Sequence, residues 1–390
     1  MLVVWSMAVV SSSAAAQPRL LLVLWHGLAW EDVEASPLYE EGIMAVGTMN
    51  VRAGSGSLVS GAYLTIASGS RAFGVENAAL MLHGDEFIHG FPAHRIYSTR
   101  TGREASAEEI VNPQIAMIIN AASQSSYPLQ VGALAECLGQ SGVQLGVFGS
   151  SDLSDQRVRW AALVGMDAEG KAARGLVSTR LLIDDADYPH GKRTDYQLLA
   201  ETVLNAGVDA AIVDLGDPFR LDSLTGHLLP EQHQVLRRRA ASEAWGLIAQ
   251  LHLTLPDAVI VIAAPFPDYH RADIGQWLAP LVIIGKGAGM LTSGTTRWPG
   301  LVSNIDVAPT AVEVFGLDKG PMLGRTVSVE PMQTGKALGL IKQLEARVFQ
   351  VHRYRNQVLR WLTGIQITLY ILTLALLIIP RAVDRRYVRL

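Results

Sequence analysis

Cysteine is almost absent from this 390-residue chain. Cys137 stands alone, so no internal disulfide can form, and the redox compartment is left open. A large excess of charge of one sign is missing too. The formal net charge is −4, with no strong basic field of the kind that draws a protein to nucleic acid. The run Arg237-Arg238-Arg239 lies within a helical pattern and reads as a solvated helix face. Nucleic acid is therefore not an expected partner. The chain shows no internal repeat and no disordered linker. Apolar residues, by contrast, make up 49% of it, ample for a sizeable core in one large α/β domain or two smaller ones.

One segment lacks charge altogether. Residues 361–380, WLTGIQITLYILTLALLIIP, are about as long as the ~20 residues a helix needs to cross ~30 Å of hydrocarbon. Trp361 is placed for one interface and Pro380 for the other, and basic residues flank both sides, slightly more of them after the run. This predicts a transmembrane helix at 361–380, preceded by a juxtamembrane helix over 331–360 and followed by a basic cytoplasmic tail at 381–390. At the amino end, an apolar run over 2–10 leads into Ser11-Ser12-Ser13 and Ala14-Ala15-Ala16, a small-residue pattern like a signal-peptidase site, although no Lys or Arg precedes it. Residues 1–16 are accordingly read as a signal peptide. The expectation is a single-pass cell-membrane protein with its main domain extracytoplasmic, membrane lipid as one partner and a protein of the cell envelope as another.

Between these ends the pattern alternates. Residues 19–28, RLLLVLWHGL, form a continuous apolar run that reads as a buried parallel strand ending in a loop. A Gly/Ser-rich stretch at 54–61 precedes a small-residue helix at 62–68. Helical patterns follow at 113–122 and 130–139, then a strand at 143–148, a helix at 194–206 and a strand at 210–215. A longer helix opens at Pro230, with Leu236, Ala240, Ala244, Leu247, Ile248 and Leu251 on one face. Strands at 258–264 and 281–284 and a helix at 309–315 complete an alternation that argues for α/β architecture.

The strand at 281–284, the Gly-rich loop after it, the Thr295-Thr296-Arg297 turn and the helix start Asp306-Val307-Ala308-Pro309-Thr310 recur in this order near the carboxyl end of alkaline-phosphatase-superfamily domains. Segment 62–74, AYLTIASGSRAFG, resembles the later half of that superfamily's nucleophile region. The chain thus resembles a divergent, membrane-attached member with an alkaline-phosphatase-like or sulfatase-like core over 17–330. The resemblance implies a doubly wound, mostly parallel sheet. It also implies two divalent metals, zinc or manganese, that activate a nucleophile and stabilise an in-line displacement at phosphorus.

Several positions depart from that pattern. The first strand ends in His26 where an Asp is implied, and imidazole can still bind zinc. The nucleophile position falls near Val59, with Ser57 and Ser60 as the candidate serines. Asp214, Asp217 and His227 cluster after the strand at 210–215, Asp222 among them. The competing reading there is a turn in which Arg220 pairs with a neighbouring carboxylate. Where an Asp-His pair is implied, the chain reads Pro265-Phe266-Pro267-Asp268-Tyr269-His270. An improvised ligand set would be His26, Asp214, Asp217, His227 and His270. A second group, His83, Asp85, His89 and His94, lacks a recognised zinc spacing and reads as exposed or hydrogen-bonding histidines. Asp306 reads as a helix cap that holds a turn together with Arg297. The reading favoured is a domain that has lost two-metal catalysis and binds a partner or ligand at the envelope. The alternative is a metal-dependent hydrolase of phosphate or sulfate esters.

Overall fold

The computed structural model describes residues 17–54 and 58–378. Its chain divides into two units, Met1–Ile341 and Lys342–Leu390. A ten-stranded sheet forms the centre of the first: β1 (Leu20–Leu24), β2 (Ala45–Asn50), β3 (Leu145–Phe148), β4 (Gly175–Leu176), β5 (Ala210–Asp214), β6 (Val259–Ala263), β7 (Leu278–Ile284), β8 (Gly289–Ser293), β9 (Leu301–Ser303) and β10 (Val327–Pro331). In space they run β10-β8-β2-β7-β6-β1-β5-β3-β4, with β9 paired to β2. Strand β1 lies parallel to β5 and β6, β3 to β5 and β4, and β2 to β8 and β9. Of the ten, β7 and β10 run against the rest. The sheet is therefore mostly parallel, as the resemblance implies, within the α/β architecture that the alternating pattern predicts.

Strand β1, LLLVL, is buried at every position, which a parallel strand covered on both faces requires. The principal helices are α1 (Leu58–Ser68), α2 (Asp217–Asp222), α3 (Pro230–Thr254), α4 (Val307–Glu313) and α5 (Thr334–Ile378). Helix α3 opens on Pro230 and buries the expected stripe, with Ala241 and Trp245 added to it. Trp245 packs 5.3 Å from Trp25, centroid to centroid, and donates its Nε1–H to the Asp32 carbonyl at 2.7 Å.

The structure corrects three local expectations. The run at 19–28 is strand only to Leu24, because the chain turns at Gly27, whose φ of +68° suits glycine. The strand expected at 281–284 starts at Leu278 and is antiparallel to both neighbours. The Gly-rich loop after it is confined to residues 285–288, since Gly289–Ser293 forms β8 between β2 and β10.

Helix α5 begins in the first unit, where Ala337, Leu338 and Ile341 are buried, and continues as the second. It is long and apolar enough to cross a membrane, with a window of mean hydropathy 1.4 that is 0% buried. Helix and strand divide at 331 differently from the sequence reading: Pro331 ends β10, and the helix starts at Thr334. The signal-peptide reading of 1–16, the Pro380 helix end and the basic tail lie outside the described residues.

Candidate functional site

Parallel α/β sheets place their ligand crevices in the loops beyond the carboxyl ends of the strands. Here β6, β1, β5 and β3 are neighbours in that order. They deliver, respectively, Phe266 to Tyr269; His26; Asp214 with the start of α2; and Ser150 to Asp152. Gly149 allows β3 and β5 to end close together. It has φ +103°, and a Cβ there would sit 2.1 Å from the Asp214 carbonyl oxygen.

His26 Nε2 lies 2.8 Å from Asp222 Oδ2, with both residues buried. A carboxylate only accepts, so Nε2 carries the proton. Asp222 also accepts from the Tyr269 backbone N–H at 3.1 Å and the Thr225 hydroxyl at 3.1 Å. The imidazole stacks on Phe266 and meets Phe219 edge-on. Its Nδ1 is buried without a partner.

Asp214 accepts from the Ser151 hydroxyl at 2.8 Å and the Gly216 N–H at 3.3 Å. Complete burial pushes its carboxyl up to about 6, against the opposing pull of the Ser151 hydroxyl, the Arg220 charge, the Gly216 N–H and His26. Beside it, the fully buried Arg220 guanidinium reaches Asp217 Oδ1 through Nη2 at 2.7 Å and Nε at 3.1 Å. Its Nη1 donates to the carbonyls of Ser150 and Asp152, each at 3.0 Å. Asp217 Oδ1 takes the Thr194 N–H as well, at 2.9 Å, while Oδ2 is left without a partner. A second buried guanidinium, Arg159, joins Asp152 at 2.8 Å to Glu86. Burial would raise the Glu86 carboxyl, but the Arg159 bonds and charge hold it below its usual range.

The expected ligands are thus only partly gathered. His26, Asp214 and Asp217 stand at the strand ends, whereas His227 and His270 are exposed at the surface. Among the described residues no group of three or more His, Cys, Asp or Glu side chains is placed to hold a metal ion. Ser60 is buried in α1 with no partner for its hydroxyl, and Ser57 lies outside the described residues. The zinc or manganese pair implied by the resemblance does not fit this donor set, because Asp152 and Asp217 are each spent on a guanidinium and Asp222 on three donors. Space is equally limiting. The cavity lined by His26, Asp222, Arg237 and Asp268 measures about 20 Å³, room for one water.

A larger space opens next to it. A groove of about 970 Å³ runs between residues 29–37 and α3, over Trp245, His233, Arg237 and Arg238. It shares Asp32, His233, Arg237, Ala241 and Asp268 with the small cavity, so the two adjoin. Arg237 is the wall between them, held by Asp32 at 2.6 Å and by the Gly27 carbonyl at 2.9 Å.

Most of the remaining singled-out residues have structural partners. His83 Nε2 accepts the Val177 N–H at 3.2 Å, and His94 Nδ1 meets the Gly84 carbonyl at 2.7 Å. The Asp306 side chain does not cap α4 itself but closes a capping box on the short 3-10 turn Asn304–Asp306 that runs into it. It bonds to the Ser303 N–H at 3.0 Å, the Arg325 N–H at 2.9 Å and the Thr295 hydroxyl. Arg297 is exposed at φ +57°, and among the described residues its guanidinium has no hydrogen-bond or ion-pair partner, so the turn is held by Asp306 without it. Arg159, Asp152 and Glu86 were not foreseen. Their partnerships span separations of up to 73 residues and have no local signature.

No protein-family model matches the chain, and no curated protein does. Solved structures of alkaline-phosphatase-superfamily proteins do match, at low similarity. A superfamily protein from Vibrio parahaemolyticus is 13% identical, with a TM-score of 0.42 over 80% of this chain and 69% of that one. The lipoteichoic acid synthase LtaP from Listeria monocytogenes is 12% identical, with a TM-score of 0.41 over 78% and 74%. The alkaline phosphatase of the Antarctic bacterium TAB5 is 10% identical, with a TM-score of 0.39 over 76% and 98%.

Proposed function

We propose that this chain is a membrane-anchored, extracytoplasmic domain that has exchanged two-metal catalysis for binding at the cell envelope. The observation that carries this reading is the state of the strand-end carboxylates. Asp152 and Asp217 are neutralised by buried arginines, Asp222 is saturated by His26, Tyr269 and Thr225, and the cavity that Asp222 and His26 line admits about one water. A phosphate or sulfate ester with two metal ions has no room in it. The open groove over Trp245 is the place for a ligand, since its size is that of small-molecule sites and its walls mix an aromatic floor with arginine and histidine donors.

Anchoring follows from residues 361–380 as a span, with 17–330 as the exported domain, 331–360 as the juxtamembrane link and 381–390 as the cytoplasmic tail. The hydrolase alternative rests on His26 Nδ1 and Asp217 Oδ2, two atoms beyond the strand ends that are buried without partners and would be free to ligate a cation. Both readings are tested on the full chain, purified without chelator, by elemental analysis and by turnover of p-nitrophenyl phosphate and p-nitrophenyl sulfate. The binding reading expects well under two metal equivalents and no turnover above the buffer rate. Two zinc or manganese equivalents together with turnover would overturn it in favour of the hydrolase.

A further inference from the structure

The small cavity beside His26 has a charge of its own. Three carboxylates, those of Asp32, Asp222 and Asp268, line it against the single guanidinium of Arg237, so the lining is formally negative. Arg238 and Arg271 border the groove and not the cavity.

Two acceptors in this lining are unspent. His26 is 3% exposed, and its Nδ1 is buried without a partner while its Nε2 is held by Asp222. In the neutral ring, with the proton on Nε2, Nδ1 only accepts. Asp268 uses Oδ1 to cap the short helix Tyr269–Asp273, taking the Arg271 N–H at 2.8 Å, and its Oδ2 stands 3.9 Å from Arg237 Nη1, beyond hydrogen-bond reach. Asp268 also packs on the residue next to His26, since a Cβ on Gly27 would lie 3.4 Å from the Asp268 Cβ. The other two carboxylates offer less. Asp32 is bound by Arg237 through both oxygens, and Asp222 takes His26, Thr225 and the Tyr269 N–H.

We propose that this cavity is a subsite for the primary ammonium group of a ligand whose body lies in the groove over Trp245. An ammonium group is about the size of the one water that the cavity's 20 Å³ admits, and it brings donors for both open acceptors. It also supplies the positive charge that the lining lacks, which a water or a hydroxyl does not, and its bond to the Asp268 carboxylate is of the stronger, charge-assisted kind. Entry is from the groove. Asp32, His233, Arg237, Ala241 and Asp268 border both spaces, so an ammonium on a slender methylene stem reaches His26, whereas a quaternary ammonium is too large for the cavity. The proposal rests on the groove as the ligand site and adds what that ligand must carry.

The test titrates the full chain by calorimetry, at pH 8 and fixed ionic strength, with n-butylammonium chloride, n-butanol and butyltrimethylammonium chloride. The expected result is that n-butylammonium binds at least tenfold more tightly than either of the others. Asp268→Asn, whose amide oxygen keeps the helix cap, should remove that preference. The comparison of the three probes on the parent chain needs no variant and decides even where the variant fails to fold. Equal affinity for all three would overturn the ammonium subsite and leave the groove standing as a ligand site. A preference that survives in folded Asp268→Asn would overturn the placement beside Asp268. Binding of none would overturn the subsite as well, while two metal equivalents with ester turnover would overturn the reading beneath it.

Discussion

Replacing Asp214 by Asn should stabilise the protein at neutral pH. The Asp214 carboxyl is completely buried and raised from 3.8 to about 6, chiefly by loss of solvent. Its proton is therefore bound more tightly in the folded state than in the unfolded chain. Stability from this group is complete below the unfolded value, declines as pH rises through about 6, and is absent at pH 7.5. A shift of this size is worth ~3 kcal/mol at ~1.4 kcal/mol per unit, a net figure in which the attraction of Arg220 and His26 for the carboxylate is already included. Geometry permits the exchange. The Asn carbonyl can keep the Gly216 N–H, and its amide can donate to a rotated Ser151 hydroxyl. For a domain of this size the gain corresponds to a rise of roughly 5 °C in melting temperature. Tryptophan fluorescence during thermal unfolding reads it, through the buried Trp25 and Trp245. The Asn variant should melt above the parent at pH 7.5, and the difference should close toward pH 4.5. A variant that melts below the parent at pH 7.5 would refute the reasoning, because the ionised carboxylate would then be held by a favourable partner such as a cation.

Arg220→Met should cost about 3–5 kcal/mol by leaving Asp217 buried and unpaired, and adding Asp217→Asn should recover a large part of that loss in the same melting assay. A single variant that melts like the parent would show that the pair is not what neutralises Asp217. Asp306→Ala should lower stability by ~1–3 kcal/mol, since it strands the N–H groups of Ser303 and Arg325, while Arg297→Ala at the same turn should change nothing measurable. Equal losses from the two would return Arg297 to the structural role expected of it from sequence.

The inner strands were legible because their burial is written locally. Runs such as LLLVL in β1 and the AAIV that precedes Asp214 in β5 are apolar at every step, and helix α3 repeats its stripe from Leu236 to Leu251, about four turns. The β2 side of the sheet carries no such signal. Strand β2 is AVGTMN and β8 is GMLTS, sequences whose small and polar residues suit loops equally well. What makes them strands is their contact. Gly47 sits where a Cβ would come within 2.7 Å of the Leu291 Cβ, and Gly289 where one would come within 2.2 Å of the Glu330 carbonyl, so these glycines serve close backbone approach and not turning.

In the site, position was readable and partnership was not. His26, Asp214 and Asp217 could be placed at strand ends from the runs that precede them, but whether each carboxylate is free to ligate depends on arginines that arrive from elsewhere in the chain. Arg220 was within reach of sequence reasoning, three residues from Asp217; Arg159 was not, since it lies seven residues beyond Asp152 and is fixed by Glu86. The proposed exchange of metal ions for guanidinium groups has a chemical consequence. A divalent ion accepts lone pairs from every side and can keep a position open for a substrate oxygen. A guanidinium offers five donors in one plane and is exhausted once they are matched. At Arg220 they are matched by Asp217, Thr194 and two backbone carbonyls. On the reading proposed above, such a centre trades reactivity for a fixed arrangement, and a ligand is met outside it, at the groove over Trp245.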